Sequence, residues 1–315
     1  MNSKTHLLRQ RLIEDPEPLI VPYGACALHA VLAHRFGHQA IALSGSWASA
    51  YLLGRPDVSL ISFTEMANQV RYMVMATELP VIADCDQGFG NAVNTFHSVR
   101  TLINTGCAGL HIEDQPYPKR CGFVAGKEVI SRQEMVGKLQ AAQDAKMEAD
   151  PAFVIIARID SLTAVGGGFA DTVNRAKAYR EEGGADVIYI EGTHTLDEIQ
   201  ALRNAIEGPL FCSTFAIQPH PTFEQLRDLG QCAVQLVNLI CEPASIGAWE
   251  VLEAVKENGL SAWQAFEDKT KGHPLSGLGF FDLVGMPDIK VMEQRYLPSH
   301  EMKKYDQSSG LYKLD

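Results

Sequence analysis

The chain contains 315 residues, of which 46% are hydrophobic and 21% are charged, and this balance excludes a disordered protein. Its 27 basic and 38 acidic side chains give a formal net charge of −11, which disfavours the phosphate backbone of a nucleic acid as a partner. The sequence has no uninterrupted run of about 18 apolar residues, so we predict no membrane-spanning segment.

Seven cysteines, an odd number, are scattered through apolar segments, which is typical of free thiols rather than of a disulfide framework. The first residues are polar and lack the apolar core of an export signal. Together these features predict a cytoplasmic protein.

Short apolar runs alternate with amphipathic stretches along the chain. Several runs are rich in Val and Ile and end at polar or glycine residues, as parallel strands buried on both faces do. The predicted strands are Leu19–Val21, Ala40–Leu43, Pro80–Ala83, Gly109–Ile112, Phe153–Ala157, Asp186–Ile190, Pro209–Phe211 and Ala233–Leu239.

The stretches between these runs are predicted to be helices. Asn91 is a candidate N-cap for a helix with Val93 and Val99 on its apolar face, and Ser131 and Glu134 form a candidate capping box. Eight strands alternating with helices predict a (β/α)8 barrel, although the same pattern also fits a doubly wound open sheet. We expect one barrel domain over the 315 residues, with a helical extension from about residue 245.

Carboxylates follow two predicted strands, at the end where such folds place catalytic groups. Asp84 and Asp86 follow the third strand and point the same way, and Glu113 follows the fourth. Converging carboxylates repel one another unless a cation lies among them. Hard oxygen ligands favour Mg²⁺, with Mn²⁺ as an alternative.

Other polar groups end the remaining strands. Arg158 follows the fifth strand, where an arginine can bind a substrate carboxylate through two hydrogen bonds, and Glu191 follows the sixth. The second strand ends in Ser44-Gly45-Ser46. Small residues there let backbone N–H groups approach an anion.

The segment after the fourth strand contains two prolines and the sequence Lys-Arg-Cys-Gly-Phe at residues 119–123. We predict an irregular loop that closes over the substrate. The charges of Lys119 and Arg120 are expected to lower the pKa of the Cys121 thiol, which would serve as an acid or base.

Four motifs form a recognisable set: Asp84-Cys-Asp86-Gln-Gly-Phe-Gly90, Gly109-Leu-His-Ile-Glu113-Asp-Gln115, Lys119-Arg-Cys-Gly122 and Ala157-Arg158-Ile-Asp160. In order and spacing they resemble the isocitrate lyase/phosphoenolpyruvate mutase superfamily. The third motif resembles its lyase branch, above all the 2-methylisocitrate lyases.

This resemblance implies a (β/α)8 barrel with Mg²⁺, in a homotetramer whose last barrel helix is exchanged between subunits. It implies cleavage or formation of a C–C or C–P bond next to a carboxylate, through an enolate or aci-carboxylate. It assigns the metal to Asp84, Asp86 and Glu113, with Asp57 as a further acid of the same site.

The resemblance also implies roles for other residues. Those assigned to substrate binding are Ser44, Gly45, Ser46, Gly122, Arg158 and Ser213, and those assigned to catalysis are Tyr23, Lys119, Cys121, Arg158 and Glu191. Cys121 would protonate the carbanion, whereas Tyr23, Glu191 and a metal-bound hydroxide all stay open as the base.

The chain departs from the family pattern at two places that bear on the substrate. Phe123 stands where lyases of this branch typically have His, which makes the loop more apolar. The segment 212–215, Cys-Ser-Thr-Phe, stands where 2-methylisocitrate lyases have an Asn-containing segment that binds a distal carboxylate. A substrate shorter or less charged than 2-methylisocitrate is therefore favoured, such as a dimethylmalate-like acid or oxaloacetate.

The sequence thus predicts an oxo-acid lyase that cleaves a 2-hydroxy di- or tricarboxylate to a 2-oxo acid and a carboxylate. The alternative is an oxaloacetate decarboxylase or oxaloacetate hydrolase of the same superfamily. A non-catalytic barrel is disfavoured, because a bare scaffold has no need for a cluster of repelling acids.

Overall fold

The computed structural model describes residues 3–310 and 312. Within them, one sheet of eight strands contains only parallel pairs. The strands are β1 (Leu19–Gly24), β2 (Ile41–Leu43), β3 (Val81–Asp84), β4 (Gly109–Glu113), β5 (Val154–Ile159), β6 (Val187–Ile190), β7 (Leu210–Cys212) and β8 (Ala233–Leu236).

Neighbouring strands follow the chain order from β1 to β7, and β8 lies beside β1. A doubly wound sheet reverses its strand order in the middle, so this order excludes the open-sheet alternative. Between the two remaining edges, Cys232 N–H donates to the Leu210 carbonyl at 2.9 Å and Cys212 N–H donates to Gln231 Oε1 at 2.7 Å. The sheet is therefore a nearly closed barrel, which confirms the predicted (β/α)8 fold.

Helices precede β1 and follow the strands. In the barrel unit they are α1 (Lys4–Arg9), α2 (Ala27–Arg35), α3 (Gly45–Leu53), α4 (Phe63–Ala76), α5 (Ala92–Asn104), α6 (Arg132–Ala149), α7 (Phe169–Glu181), α8 (Leu196–Ala205) and α9 (Phe223–Asp228). A π-helical turn at Gln10–Glu14 and a 3₁₀ turn at Ser161–Thr163 complete it. Among the described residues, none of the helices combines the length and hydrophobicity that crossing a lipid bilayer requires.

Both predicted helix starts are confirmed, although at Ser131 only the N-cap bond of the predicted capping box is present. The Asn91 side chain accepts from the Val93 N–H at 3.0 Å, and Ser131 Oγ accepts from the Glu134 N–H at 3.1 Å. The expectation that Val93 lies on the buried face of α5 is wrong, since Val93 is 78% exposed whereas Val99 is fully buried. Residues six positions apart point about 120° away from each other around a helix, so one can be buried while the other is exposed.

The residues after Cys241 belong to a second compact unit. Its helices are α10 (Cys241–Asn258), α11 (Leu260–Thr270), α12 (Gly279–Leu283), α13 (Met286–Tyr296), α14 (Ser299–Met302) and α15 (Lys304–Gln307). None of the described side chains after Cys241 is buried, and large apolar side chains such as Trp249 are mostly exposed.

Successive side chains of each strand point alternately outward to the helices and inward to the barrel, which gives two apolar layers. The larger one lies between the strands and the surrounding helices. The other fills the barrel interior and includes Val21 and Ile156 from the strands together with Leu8 and Leu12 from the N-terminal helical segment. Because Leu8 lies against Gly109, the first residue of β4, this segment closes the amino end of the barrel and leaves the carboxyl end for polar groups.

Candidate active site

At the carboxyl end of the barrel, the interior strand positions change from apolar to polar. In β5, Val154 and Ile156 belong to the interior cluster, so the period of two also places Arg158 inside. The same alternation brings four more side chains to this end from β1, β3, β4 and β6. They are Tyr23, Asp84, Glu113 and Glu191.

The register of the parallel strands sets these polar groups side by side. Asp84 of β3 is the partner of His111 of β4, and Glu113 of β4 is the partner of Arg158 of β5. Accordingly, Asp84 Oδ1 lies 3.6 Å from His111 Nδ1, and Glu113 Oε2 lies 3.1 Å from an Arg158 guanidinium nitrogen. Strand pairing therefore places these polar and charged side chains next to one another at the carboxyl end of the barrel.

Backbone N–H groups hold Asp84 as a carboxylate. Its Oδ2 accepts from the Gly45 N–H at 2.8 Å, and its Oδ1 accepts from the Asp86 N–H at 3.0 Å. Burial alone would raise the pKa of Asp84, but the positive charges around it and the Asp86 N–H lower that pKa. A Cβ at Gly45 would lie 2.6 Å from Asp84 Oδ2. The small residue thus allows the backbone to approach an anion, and here that anion is Asp84.

Lys119 lies among the acids. Its Nζ is 2.8 Å from both Asp57 Oδ2 and Asp86 Oδ1, and only 2% of its side chain is exposed. Burial would lower the pKa of this ammonium, but the surrounding carboxylates raise it well above the ordinary value. Lys119 therefore stays charged and relieves the repulsion within the acidic cluster.

Arg158 is fixed by carboxylates on two sides. Besides Glu113, its Nε lies 2.9 Å from Asp160 Oδ2. Lys127 Nζ donates to the other Asp160 oxygen at 2.9 Å. Lys127 lies in the irregular segment that contains residues 119–123. Asp160 therefore connects Arg158 to the later part of that segment.

Two buried tyrosines lie near Glu191. The Tyr189 hydroxyl donates to Glu191 Oε2. Burial raises the pKa of Tyr23, and the charges of Asp84 and Glu191 raise it further, so Tyr23 stays protonated at neutral pH. Glu191 Oε1 has no hydrogen-bond partner among the described residues. It is therefore the oxygen that can accept a proton or hydrogen bond from a ligand.

The loop of residues 114–130, here called the Cys121 loop, is held at its base. The Ile130 N–H donates to the Asp114 carbonyl at 2.9 Å. The Gln115 side chain binds the Arg120 backbone twice, because its Nε2 donates to the carbonyl and its Oε1 accepts from the N–H, both at 3.0 Å. These bonds shape the turn that presents Cys121.

The expectation of a lowered pKa for Cys121 is wrong. Burial is the main cause of a raised pKa, and the charge of Asp57 adds to it, whereas Lys119 and Arg158 only partly offset them. The Arg120 side chain is exposed, where water screens its charge. Cys121 is therefore a protonated thiol at neutral pH, a state that suits a proton donor.

These groups surround a cavity of about 40 Å³ in the barrel unit. The predicted site residues that line it are Tyr23, Ser44, Ser46, Asp57, Asp84, Cys121, Gly122, Arg158 and Glu191. Gly45, Asp86, Glu113 and Lys119 lie behind this lining and contact Asp57, Asp84 or Arg158. Ser213 lies outside the lining, and its N–H donates to the Ile190 carbonyl at 2.8 Å.

The cavity also contains side chains that sequence reasoning did not select. His111, Tyr189 and Gln235 line it from β4, β6 and β8. All three occupy interior positions, so extending the strand alternation inward from the charged ends would have found them. Val237 lines the cavity just beyond β8.

The acidic donor set fits a hard divalent cation that is held partly through water. Asp57 Oδ1, Asp86 Oδ2 and Glu113 Oε1 are buried and have no hydrogen-bond partner in the described part of the chain. Such oxygens are costly to bury, and a cation with its waters would satisfy them. No three His, Cys, Asp or Glu side chains in the described ranges form a group that could hold an ion by themselves. Mg²⁺ usually keeps several waters and binds through only one or two carboxylates, so the two observations agree.

Comparison with known proteins identifies relatives of this chain. A family model described as phosphoenolpyruvate phosphomutase covers residues 8–256. The 2,3-dimethylmalate lyase of Eubacterium barkeri is 39% identical over 199 residues, which make up 63% of this chain and 67% of the relative. The 2-methylisocitrate lyase of Aeropyrum pernix is 35% identical over 287 residues, or 90% of this chain and 88% of the relative.

Solved structures show the same fold. A 2,3-dimethylmalate lyase superimposes with a TM-score of 0.85 at 25% identity and covers 99% of this chain and 100% of its own. A phosphonopyruvate hydrolase in complex with oxalate and Mg²⁺ superimposes with a TM-score of 0.82 at 29% identity, covering 94% of this chain and 100% of its own. Both similarities extend over nearly the whole chain.

Proposed function

This chain belongs to the isocitrate lyase/phosphoenolpyruvate mutase superfamily and is a carbon–carbon lyase, and we propose that it acts with Mg²⁺ on a 2-hydroxy di- or tricarboxylate. The products are a 2-oxo acid and a carboxylate. The observation that carries this proposal is that Cys121, Arg158, Asp84 and Glu191 line one cavity together, where burial raises the pKa of the Cys121 thiol.

The binding roles follow from charge. The Arg158 guanidinium attracts a substrate carboxylate, and the hydroxyls of Ser44 and Ser46 donate to the oxygens of the 2-oxo acid portion. Mg²⁺, or Mn²⁺ in its place, would be held by Asp84 and, through water, by the acids behind it, and when bound it would lower the pKa of the substrate hydroxyl.

The proton transfers use two further groups. Glu191 Oε1, which lacks a partner among the described residues, takes the proton of the C2 hydroxyl, while Tyr189 holds the other carboxylate oxygen. The C2–C3 bond then breaks, and its electron pair is left on C3, where the adjacent carboxylate stabilises it. The Cys121 thiol gives its proton to C3. Solvent exchange returns the proton from Glu191 to the thiolate.

A 2-oxo acid release assay tests the proposal. With Mg²⁺, we expect pyruvate or glyoxylate from at least one member of a panel of 2-hydroxy di- and tricarboxylates. EDTA should abolish release, and excess Mg²⁺ should restore it. A protein that consumes only oxaloacetate, giving oxalate or pyruvate, would instead be a hydrolase or decarboxylase of the superfamily.

The assembly state is a second part of the proposal. Large apolar side chains of the C-terminal helices, such as Trp249, Leu252 and Leu260, are 70–81% exposed, which supports a homotetramer with exchanged helices. Analytical ultracentrifugation should give four times the chain mass of 34.5 kDa. Sedimentation as a monomer at micromolar concentration would contradict this.

A further inference from the structure

The Cys121 loop makes an aromatic contact outside the charged part of the site. Phe123 lines the cavity, and its ring centroid lies 4.5 Å from that of Phe215. Phe215 follows β7 by three residues, so this contact ties the loop to a different strand end. Both rings are nearly half exposed, which puts the pair at the cavity mouth.

Near Phe123 and Phe215, the described part of the cavity has no free cation that could pair with an additional substrate carboxylate, beyond the one bound by Arg158. Of the described residues that line the cavity, only Arg158 carries a permanent positive charge, and it already pairs with Glu113 and Asp160. Lys119 lies behind the lining, between two acids.

A neutral donor lies in the cavity instead. Gln235 is 7% exposed and lines the cavity, and its Nε2 has no acceptor among the described residues. An amide can donate to a hydroxyl or carboxylate oxygen, but it supplies no net charge. Val237 adds an apolar side chain two positions further along. The lining therefore suits a substrate with few charges.

The position of Phe123 indicates which substrate atom lies beside it, namely C3. Cys121 is the proposed proton donor to C3, and Phe123 lies two residues further along the same loop and lines the same cavity. A substituent on C3 would therefore face the Phe123 ring. A carboxylate there would lose its water without gaining a partner, whereas an alkyl group would gain from burial.

We propose that Phe123 and Phe215 form an aromatic clasp that closes the Cys121 loop and restricts the C3 substituent to an uncharged alkyl group. The substrate is then a 2-hydroxy dicarboxylate with its second carboxylate on C3, and tricarboxylates are rejected. This inference rests on the lyase function proposed above and narrows its substrate class. Phe215, which does not line the cavity, acts through Phe123 as a positioning residue.

Two acids that differ only in the C3 substituent test the clasp. 2,3-Dimethylmalate carries a methyl group there, and 2-methylisocitrate carries a carboxymethyl group. With Mg²⁺, the wild-type kcat/KM should favour 2,3-dimethylmalate by about 100-fold, in line with the cost of an unpaired buried charge. Phe123→Arg should reduce this ratio at least about tenfold, since the new cation can pair with the extra carboxylate, whereas Phe123→Leu should retain it. Phe36→Ala, at a 79% exposed position after α2, is the matched control and should change nothing.

The contact between Phe123 and Phe215 is tested by limited proteolysis as well as by turnover. Phe215→Ala should speed tryptic cleavage after Arg120 and raise KM more than it lowers kcat, while Phe215→Leu should restore both. Unchanged proteolysis in Phe215→Ala would overturn the clasp. So would equal cleavage of both acids by the wild type, although the lyase function would then stand. A wild type that cleaves neither acid but releases a 2-oxo acid from a tricarboxylate, or from an acid without an alkyl group on C3, would also overturn the substrate class. No release from any member of the panel would remove the proposed function itself.

Discussion

The strand ends and the Cys121 loop supply the same cavity but are held in place by different means. Asp84 and Arg158 sit on strands whose register and ion pairs leave them little freedom. The loop lies outside the strand register and is held by individual side-chain contacts, at Gln115, Lys119, Phe123 and Lys127. The charged groups with the most partners lie on the barrel, whereas the proposed proton donor lies on a loop, the kind of segment that commonly opens for substrate.

The largest effect is expected when the ion pairs of Arg158, which lies on strand β5, are removed. Arg158→Ala leaves Glu113 and Asp160 buried without their main partner, so the free energy of unfolding should fall by about 3–5 kcal/mol and turnover should be lost. Urea denaturation measures the first effect. Arg100→Ala removes an exposed pair with Glu148 and should cost at most about 1 kcal/mol. Equal losses in both variants would contradict the contrast.

A loop substitution should separate activity from stability. Cys121→Ala removes the proposed proton donor, so turnover should fall by about 10²–10⁴-fold while the free energy of unfolding changes by less than about 0.5 kcal/mol. Cys26→Ala, which also removes a partly exposed thiol, should keep normal turnover. Near-normal turnover of Cys121→Ala would remove this thiol from the mechanism.

A smaller effect concerns the turn that presents Cys121. Gln115→Ala removes two hydrogen bonds to the Arg120 backbone, which together contribute about 1–3 kcal/mol to the closed loop. Amide hydrogen exchange should accelerate across residues 116–124 but not in β5. Faster exchange in the strand as well would show that the loop and the barrel open together.

The smallest expected effect is on the rate at which Cys121 reacts with an alkylating reagent. Because burial raises the pKa of Cys121 above its ordinary value of 9.0, its thiolate fraction at pH 8 is below that of a free cysteine. Iodoacetamide should therefore modify Cys121 more slowly than free cysteine at pH 8, with the rate still rising above pH 9. Cys121→Ser provides the background rate. Rapid alkylation at pH 7 would show a lowered pKa.

The sequence predicted the strands and their charged ends well, because buried parallel strands leave a clear pattern of short apolar runs. Asp84, Glu113 and Arg158 follow such runs directly, and the register of the sheet brings them together. Interior residues such as Gln235 obey the same alternation but carry no charge to draw attention to them.

Properties that depend on burial or on distant contacts could not be predicted in this way. The sign of the Cys121 pKa shift depends on how deeply the thiol lies, and adjacent cations in the sequence gave the wrong expectation. The contact of Phe123 with Phe215 joins residues far apart in the chain. The position of Lys119 between Asp57 and Asp86 depends on the path of an irregular loop, which has no periodicity to read.

The placement of Lys119 has a consequence for how the protein matures. A pocket lined with acids normally resists assembly until its ion arrives, and Lys119 brings a permanent counter-ion as part of the polypeptide itself. We therefore expect a newly synthesised chain to complete its barrel around this internal cation, without depending on a bound ion.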